Sequence, residues 1–199
     1  PDRLLGRIEP KLRFVTGRRF FALWVLVCAS AIVAVALQWP RFSTAGNGIF
    51  YPGNWLSLIA VWAVIKILHE LFHGLVCKRY GGHVYEVGII SILFIPIGYV
   101  DATTSWRFAR RGQRIFTALA GMYVELFCAG IAAWVWTLTA PGIVKDLAYQ
   151  TVILASVTTL LFNANPLMRF DGYFALADIS RTPNLYAHGR RYGSCLMRR

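Results

Sequence analysis

Apolar residues along this chain fall into long blocks rather than into the short periodic stripes of a soluble fold. A bilayer crossing takes about 20 such residues. Four blocks qualify: 20–39 (FFALWVLVCASAIVAVALQW), about 55–77, about 115–139 (IFTALAGMYVELFCAGIAAWVWTLT) and about 150–178, the last interrupted by NANPLMRFDG. Pro40 closes the first block and Pro141 follows the third. The pattern predicts an all-α polytopic membrane protein of about four transmembrane helices, forming one membrane-embedded core over residues 1–199. A fifth apolar stretch at about 84–100, VYEVGIISILFIPIGYV, is rich in β-branched residues and carries two glycines and a proline. Those residues suit strands and a turn better than a helix, so a small β-hairpin is expected there.

Charge decides between four and five spans. Leaving out Lys66, which falls inside a block, four spans put 18 Lys and Arg on one side and only Arg41 and Lys145 on the other. Five spans would split them 9 against 11. The positive-inside rule favours the first arrangement strongly and makes both termini cytoplasmic, with the hairpin cytoplasmic or re-entrant. In a bacterium this is the inner membrane.

Composition agrees. The chain is 57% hydrophobic and 15% charged with a mean hydropathy of +0.51, where a soluble domain is about half apolar and a quarter charged. The net charge of +12 raises a nucleic-acid reading, but the basic residues cluster at block ends, which is how cytoplasmic loops look. No nucleic-acid partner is expected, and the bilayer itself is the expected one. Cys28, Cys77, Cys128 and Cys195 are far apart with no CxxC pair; all but Cys195 lie in apolar blocks, where a free thiol is read as packing. The chain starts at Pro1 and ends in LMRR, so a fragment of a longer protein is expected. No cleavable signal-peptide pattern is visible. The basic tail from Ile179 is expected on the inner leaflet.

Inside the second block stands ILHELFHGLV, residues 67–76. Residues four apart on a helix share a face, so His69 and His73 can grip one metal ion while Glu70 reaches a water beside it, the HExxH metalloprotease arrangement. Within a span each such group is costly, which makes the match far more telling than the same letters in a soluble chain. A polar patch satisfied by neighbouring helices is the alternative. A catalytic zinc site needs a third protein ligand, and Asp171 in NANPLMRFDGYF is the best candidate, because a Pro-interrupted membrane helix carrying an acid looks like an ion site. Its alternative role is an interfacial helix cap. On inward-running second and fourth spans, His69 and Asp171 would sit at similar depths.

HELFH in one span and NxxPxxxxDG in a later one resemble the site-2 protease family of intramembrane zinc metalloproteases, and within it the bacterial branch of peptide zinc metalloproteases. The resemblance covers about residues 55–180 and includes the β-rich stretch after the HExxH helix. It implies that His69, His73 and Asp171 bind Zn²⁺ and that Glu70 is the catalytic acid and base. Departures exist: the family often has further prolines after NxxP, where this chain has Met168 and Arg169, and its DGG becomes Asp171-Gly172-Tyr173. Where the family often has an asparagine on the third span for the substrate carbonyl, the matching stretch offers Glu125, and a carboxylate donates no hydrogen bond unless protonated.

Several residues stay open between roles. Glu125 either lines the substrate groove or forms an interhelical ion pair with Lys66, with a local Lys66–Glu70 contact competing. Asn163 and Asn165 either hold substrate backbone or satisfy the carbonyls of the broken helix. Cys77 is read as packing, and His83 and His188 as non-ligands. The expected activity is intramembrane hydrolysis of a membrane protein or peptide, the hairpin offering an edge strand to the unwound substrate. The alternatives are a zinc-binding scaffold or accessory of a peptide maturation or export system, and an ion transporter. Glu70 favours the protease, since a scaffold needs no base between its histidines. The clustering of polar residues towards one side speaks against a transporter.

Overall fold

The computed structural model describes residues 1–92, 95–182 and 185–186. His188, Cys195 and most of the basic tail lie outside the described residues. Helix α1 (Asp2–Leu12) is followed by α2 (Arg18–Leu37), a short α3 (Trp39–Ala45) and α4 (Trp55–Arg79). Strands β1 (Val87–Ile92) and β2 (Ile95–Val100) come next, then α5 (Arg111–Leu138), α6 (Ile143–Val157) and α7 (Asp171–Ser180).

Among the described residues, three helices are long and apolar enough to cross a membrane: α2, α4 with its preceding turn, and α5. At 1.5 Å per residue the 20 residues of α2 cover about 30 Å, the thickness of a bilayer core. The fourth expected span differs from expectation. It begins at Ile143, earlier than the apolar block suggested, because Lys145 and Asp146 lie within its first turn, where an acid is tolerated at a helix N-terminus. It is also not one helix. The ladder of α6 widens at Thr158–Asn163 into a π turn, closed by the Ala164 amide donating to the Thr159 carbonyl at 2.7 Å. The chain then bends through 164–170 before α7 begins at Asp171. Pro166 explains the break, since it has no N–H to continue the ladder and disfavours helical geometry at Asn165.

The expected hairpin is present as an antiparallel pair in the register Val87↔Val100 to Ile92↔Ile95. A fifth span at that place is thereby excluded.

Helix α5 is the axis of the bundle. More than half of its apolar window is buried, against 6% for α2, because α5 packs on α2, α4, α6 and α7 at once. Small residues make the close approach at mid-depth possible: Ala129 and Ala155 meet Ile65 there. At one end, Phe42, Trp136 and Tyr149 lock α3 to α5 and α6. At the other end, Leu5, Leu75, Val84 and Phe108 tie α1 to the end of α4. Asp2 fastens that corner by accepting from the Val84 amide at 2.9 Å and from Lys78 at 2.9 and 3.0 Å. Those donors, the amide first, hold its carboxyl down to about 2.

Large apolar side chains face outward all along the bundle: Leu26, Ile32 and Leu37 on α2, and Leu56, Ile59 and Ile67 on α4, are each at least 60% exposed. In water such a belt would aggregate, whereas in lipid it is the expected surface. This is a membrane protein.

Candidate metal centre

His69 and His73 lie one turn apart on α4 and both turn inward, 4% and 8% exposed. Their Nε2 atoms are 3.0 Å apart. Asp171 opens α7 and brings Oδ2 to 3.0 Å from Nε2 of His69 and 3.3 Å from Nε2 of His73. These three are the His, Cys, Asp and Glu side chains among the described residues that converge as a possible metal-holding group. The second and fourth apolar blocks therefore meet as the sequence suggested. Counted along their helices, His69 lies roughly 15 Å from the end of α4 and Asp171 roughly 14 Å from the end of α7.

The partners on the far side of each ring fix which nitrogen carries the proton. Nδ1 of His73 faces the Thr117 carbonyl at 2.7 Å and must donate to it. Nδ1 of His69 faces Oε1 of Glu125 at 3.1 Å and donates likewise. Both Nε2 atoms are then lone pairs pointing at each other and at a carboxylate oxygen. Oδ2 of Asp171 is buried and receives no hydrogen bond. Three electron-rich atoms at about 3 Å repel unless a cation sits among them. Ligand atoms held by one Zn²⁺ at about 2.0–2.2 Å lie about 3.3–3.5 Å apart in a tetrahedron. The observed separations are at that range or a few tenths of an ångström inside it. Two imidazoles and one carboxylate leave a fourth position open, the donor set of a catalytic rather than a structural zinc site. The residues present fit the metal.

Glu70 follows His69 on the same helix, and its Oε2 accepts the Val100 amide at 3.0 Å from the end of β2. Together with His73 and Asp171 it lines an open cavity of about 830 Å³. The outer walls of that cavity carry Trp106 and Phe174 and four arginines, Arg111, Arg114, Arg169 and Arg181. Arg114 is braced by Asp178 at 2.7 Å.

The three residues considered for substrate binding are elsewhere. Glu125 is 1% exposed and both of its oxygens are engaged: Oε1 with Lys66 at 2.7 Å and with His69, Oε2 with the Thr159 hydroxyl and with the Asn163 amide at 3.1 Å. The interhelical Lys66–Glu125 pair is thus formed. Asn163 is buried; its amide donates to Glu125 at 3.1 Å and its nitrogen lies 3.4 Å from Nδ1 of His69, farther than the Glu125 oxygen that takes the Nδ1 proton at 3.1 Å. Asn165 accepts the Leu167 amide at 3.0 Å and so shapes the bend after the π turn. None of the three is among the residues lining the cavity. Cys77 is buried against Thr104 and His83 is exposed beside Asp2, both apart from the centre.

Some contributors carry little signal in the sequence. The Thr117 carbonyl and the Val100 amide are backbone groups, which any residue would offer. Gly121 on α5 is different: a Cβ there would come within 2.3 Å of the His69 ring, and a glycine inside a span is a visible hint of close approach. Gly172 similarly lets the start of α7 pass the Ala164 carbonyl, which an added Cβ would meet at 2.6 Å.

The model of peptidase family M50 matches residues 57–182. The chain belongs to peptidase family M50. This is the site-2 protease family that the two motifs resemble. The M50 match takes in nearly all of α4, the hairpin, α5, α6 and α7, and therefore every side chain of the centre. Among the relatives of this M50 chain is a Mycolicibacterium smegmatis protein named "Putative zinc metalloprotease Rip2", 27% identical over 77% of this chain and 68% of its own length. Another is the Bacillus subtilis "Putative peptide zinc metalloprotease protein YydH", 22% identical over 78% of this chain and 60% of its own. No solved structure matches the chain.

Proposed function

We propose that this chain is an intramembrane zinc metalloprotease that hydrolyses peptide bonds in or near transmembrane segments of a membrane protein or peptide. The observation that carries the proposal is the meeting of two imidazole lone pairs and an orphaned carboxylate oxygen within 3.0–3.3 Å, with Glu70 beside them on an open cavity. The names of both relatives, each containing the words "zinc metalloprotease", support the same reading.

His69, His73 and Asp171 hold Zn²⁺, which when bound polarises the scissile carbonyl and makes a water acidic enough to react near neutral pH. The Glu70 carboxylate takes a proton from the attacking water and passes it to the leaving amine. The cavity brings water and an unwound segment to that carboxylate. The Gly98 amide and the outward carbonyls of β2 pair with the segment as an added strand. The β2 edge suits the task because the Val100 amide points away from β1 and onto Glu70. Alternation along a strand then turns the Gly98 amide outward as well.

The cavity's arginine-rich mouth belongs to the basic side of the molecule, which we take as the cytoplasmic side of a bacterial inner membrane.

The test is zinc content and cleavage of a co-expressed membrane substrate, with wild type beside Glu70→Gln. Retained zinc with cleavage reduced by about 10²–10⁴-fold, the scale of general-base loss, is the expected outcome. Unchanged processing in the variant returns the chain to a zinc-binding scaffold.

A further inference from the structure

Glu125 is a carboxylate in the middle of a membrane helix that touches neither the cavity nor lipid, and the proposed chemistry leaves it without a task. Charges at that depth are costly and are kept where they serve a site. Its surroundings are specific. Oε1 receives Nδ1 of His69 at 3.1 Å and Lys66 at 2.7 Å. Oε2 receives the hydroxyl of Thr159 and the amide of Asn163. Thr159 and Asn163 stand four residues apart in the π turn, so one face of that turn closes on the carboxylate. Eight residues after Asn163 the same strand of chain delivers Asp171. A single side chain thus touches one metal ligand directly and holds the segment that presents another.

We propose that Glu125 is the positioning residue of the metal centre. It locks His69 with the proton on Nδ1 and the lone pair on Nε2, and it clamps α4 to the π turn so that Asp171 meets the histidines. This rests on His69, His73 and Asp171 being the zinc ligands. The two imidazoles are held differently, His73 by a neutral carbonyl and His69 by an anion, and an anionic partner makes its ring the stronger electron donor. Lys66 keeps the buried carboxylate neutralised without reaching the ligands. Glu125 is consequently not the group that contacts the substrate carbonyl, whatever its place on the third span suggests.

The test uses the full chain purified in detergent, with Zn²⁺ affinity measured by chelator competition and unfolding temperature measured on the metal-free protein. Outer partners of metal-bound histidines are worth about 10–100-fold in metal affinity. Glu125→Gln is therefore expected to weaken Zn²⁺ binding by about that factor. Because the single change leaves Lys66 without its counter-charge inside the bundle, Lys66→Met/Glu125→Gln is measured beside it. The double variant is expected to unfold near the wild-type temperature and still to bind Zn²⁺ at least tenfold more weakly. Thr159→Val, a milder change that removes one restraint on Oε2, is expected to cost several-fold. Its Co²⁺-substituted form should show a shifted visible spectrum, which a merely structural role would not produce. Wild-type affinity in folded Thr159→Val and in the double variant overturns the proposal. A wild-type chain that holds no Zn²⁺ overturns instead the ligand assignment, and this inference with it.

Discussion

Gly121 illustrates how much of the centre depends on one absent side chain. His69 needs room to set Nδ1 on Glu125 and Nε2 towards Asp171, and α5 supplies it by having no Cβ where the imidazole lies. Gly121→Ala would put a methyl within 2.3–2.5 Å of three ring atoms, so the ring or the helix must move. Overpacking of this kind costs about 1–3 kcal/mol. The rotated ring would also lose its pointing atom. We expect Gly121→Ala to bind Zn²⁺ at least tenfold more weakly while leaving the helical content intact, as read by metal analysis and circular dichroism. Full zinc occupancy at wild-type affinity would remove Gly121 from the centre. Individual residues divide sharply in how legible they were. His69, Glu70 and His73 are readable from spacing, because a helix maps i and i+4 onto one face. Asp171 is readable from the proline and glycine around it. The partner of His73 is a main-chain carbonyl, whose identity no side chain announces, and for Glu125 the Lys66 pair was legible as one of two roles, whereas Thr159 and Asn163, 34 and 38 residues away, were not.

In the proposed function the hairpin is the element on which substrate handling turns. Val100 is anchored to Glu70, so the outer edge of β2 is held at a fixed place beside the base. In the pairing that follows, Gly98 stands opposite Ile89 as a position whose N–H faces away from β1. Proline at such a position removes an outward donor without breaking a ladder bond. Gly98→Pro is therefore expected to lower cleavage at least tenfold with zinc binding unchanged. Gly98→Ala, whose Cβ would meet only Glu70 at an ordinary 3.8 Å, should keep its activity because the N–H remains. Equal cleavage by both variants would show that no strand is added there. Element boundaries were legible where composition changes abruptly: α2 and α4 begin within two residues of their apolar blocks. The fourth block was legible as interrupted but not in its start or its π turn, because the polar first turn of α6 hides in hydropathy. A π turn has no composition of its own, and it is set here by tertiary bonds from Thr159 and Asn163 to Glu125.

At the size of the whole bundle, charge and aromatic placement bear on which way the molecule sits. The turns after α2 and after α5 carry only Arg41 and Lys145, against 18 basic residues on the opposite side. Trp39 and Trp55 stand exposed at the sparsely charged end, where interfacial tryptophans anchor a span. Trp106 is exposed at the other end, near the arginines of the cavity mouth. A bias of this size outweighs any single loop, and under the positive-inside rule α4 would run inward and carry its histidines towards the cytoplasm. Water would then reach Glu70 from the cytoplasm through the basic mouth, not from outside. In a background without native cysteines, Ser43→Cys and Ala140→Cys should react with a membrane-impermeant maleimide in intact cells. Gly112→Cys, at an exposed site in the first turn of α5 with nothing within 4 Å of an added Cβ, should react only after the cells are opened. The reverse pattern would turn the bundle over and place the cavity on the outer face. A reactive cysteine at 43 with a protected one at 140 would mean that α5 (Arg111–Leu138) does not carry the chain across the membrane.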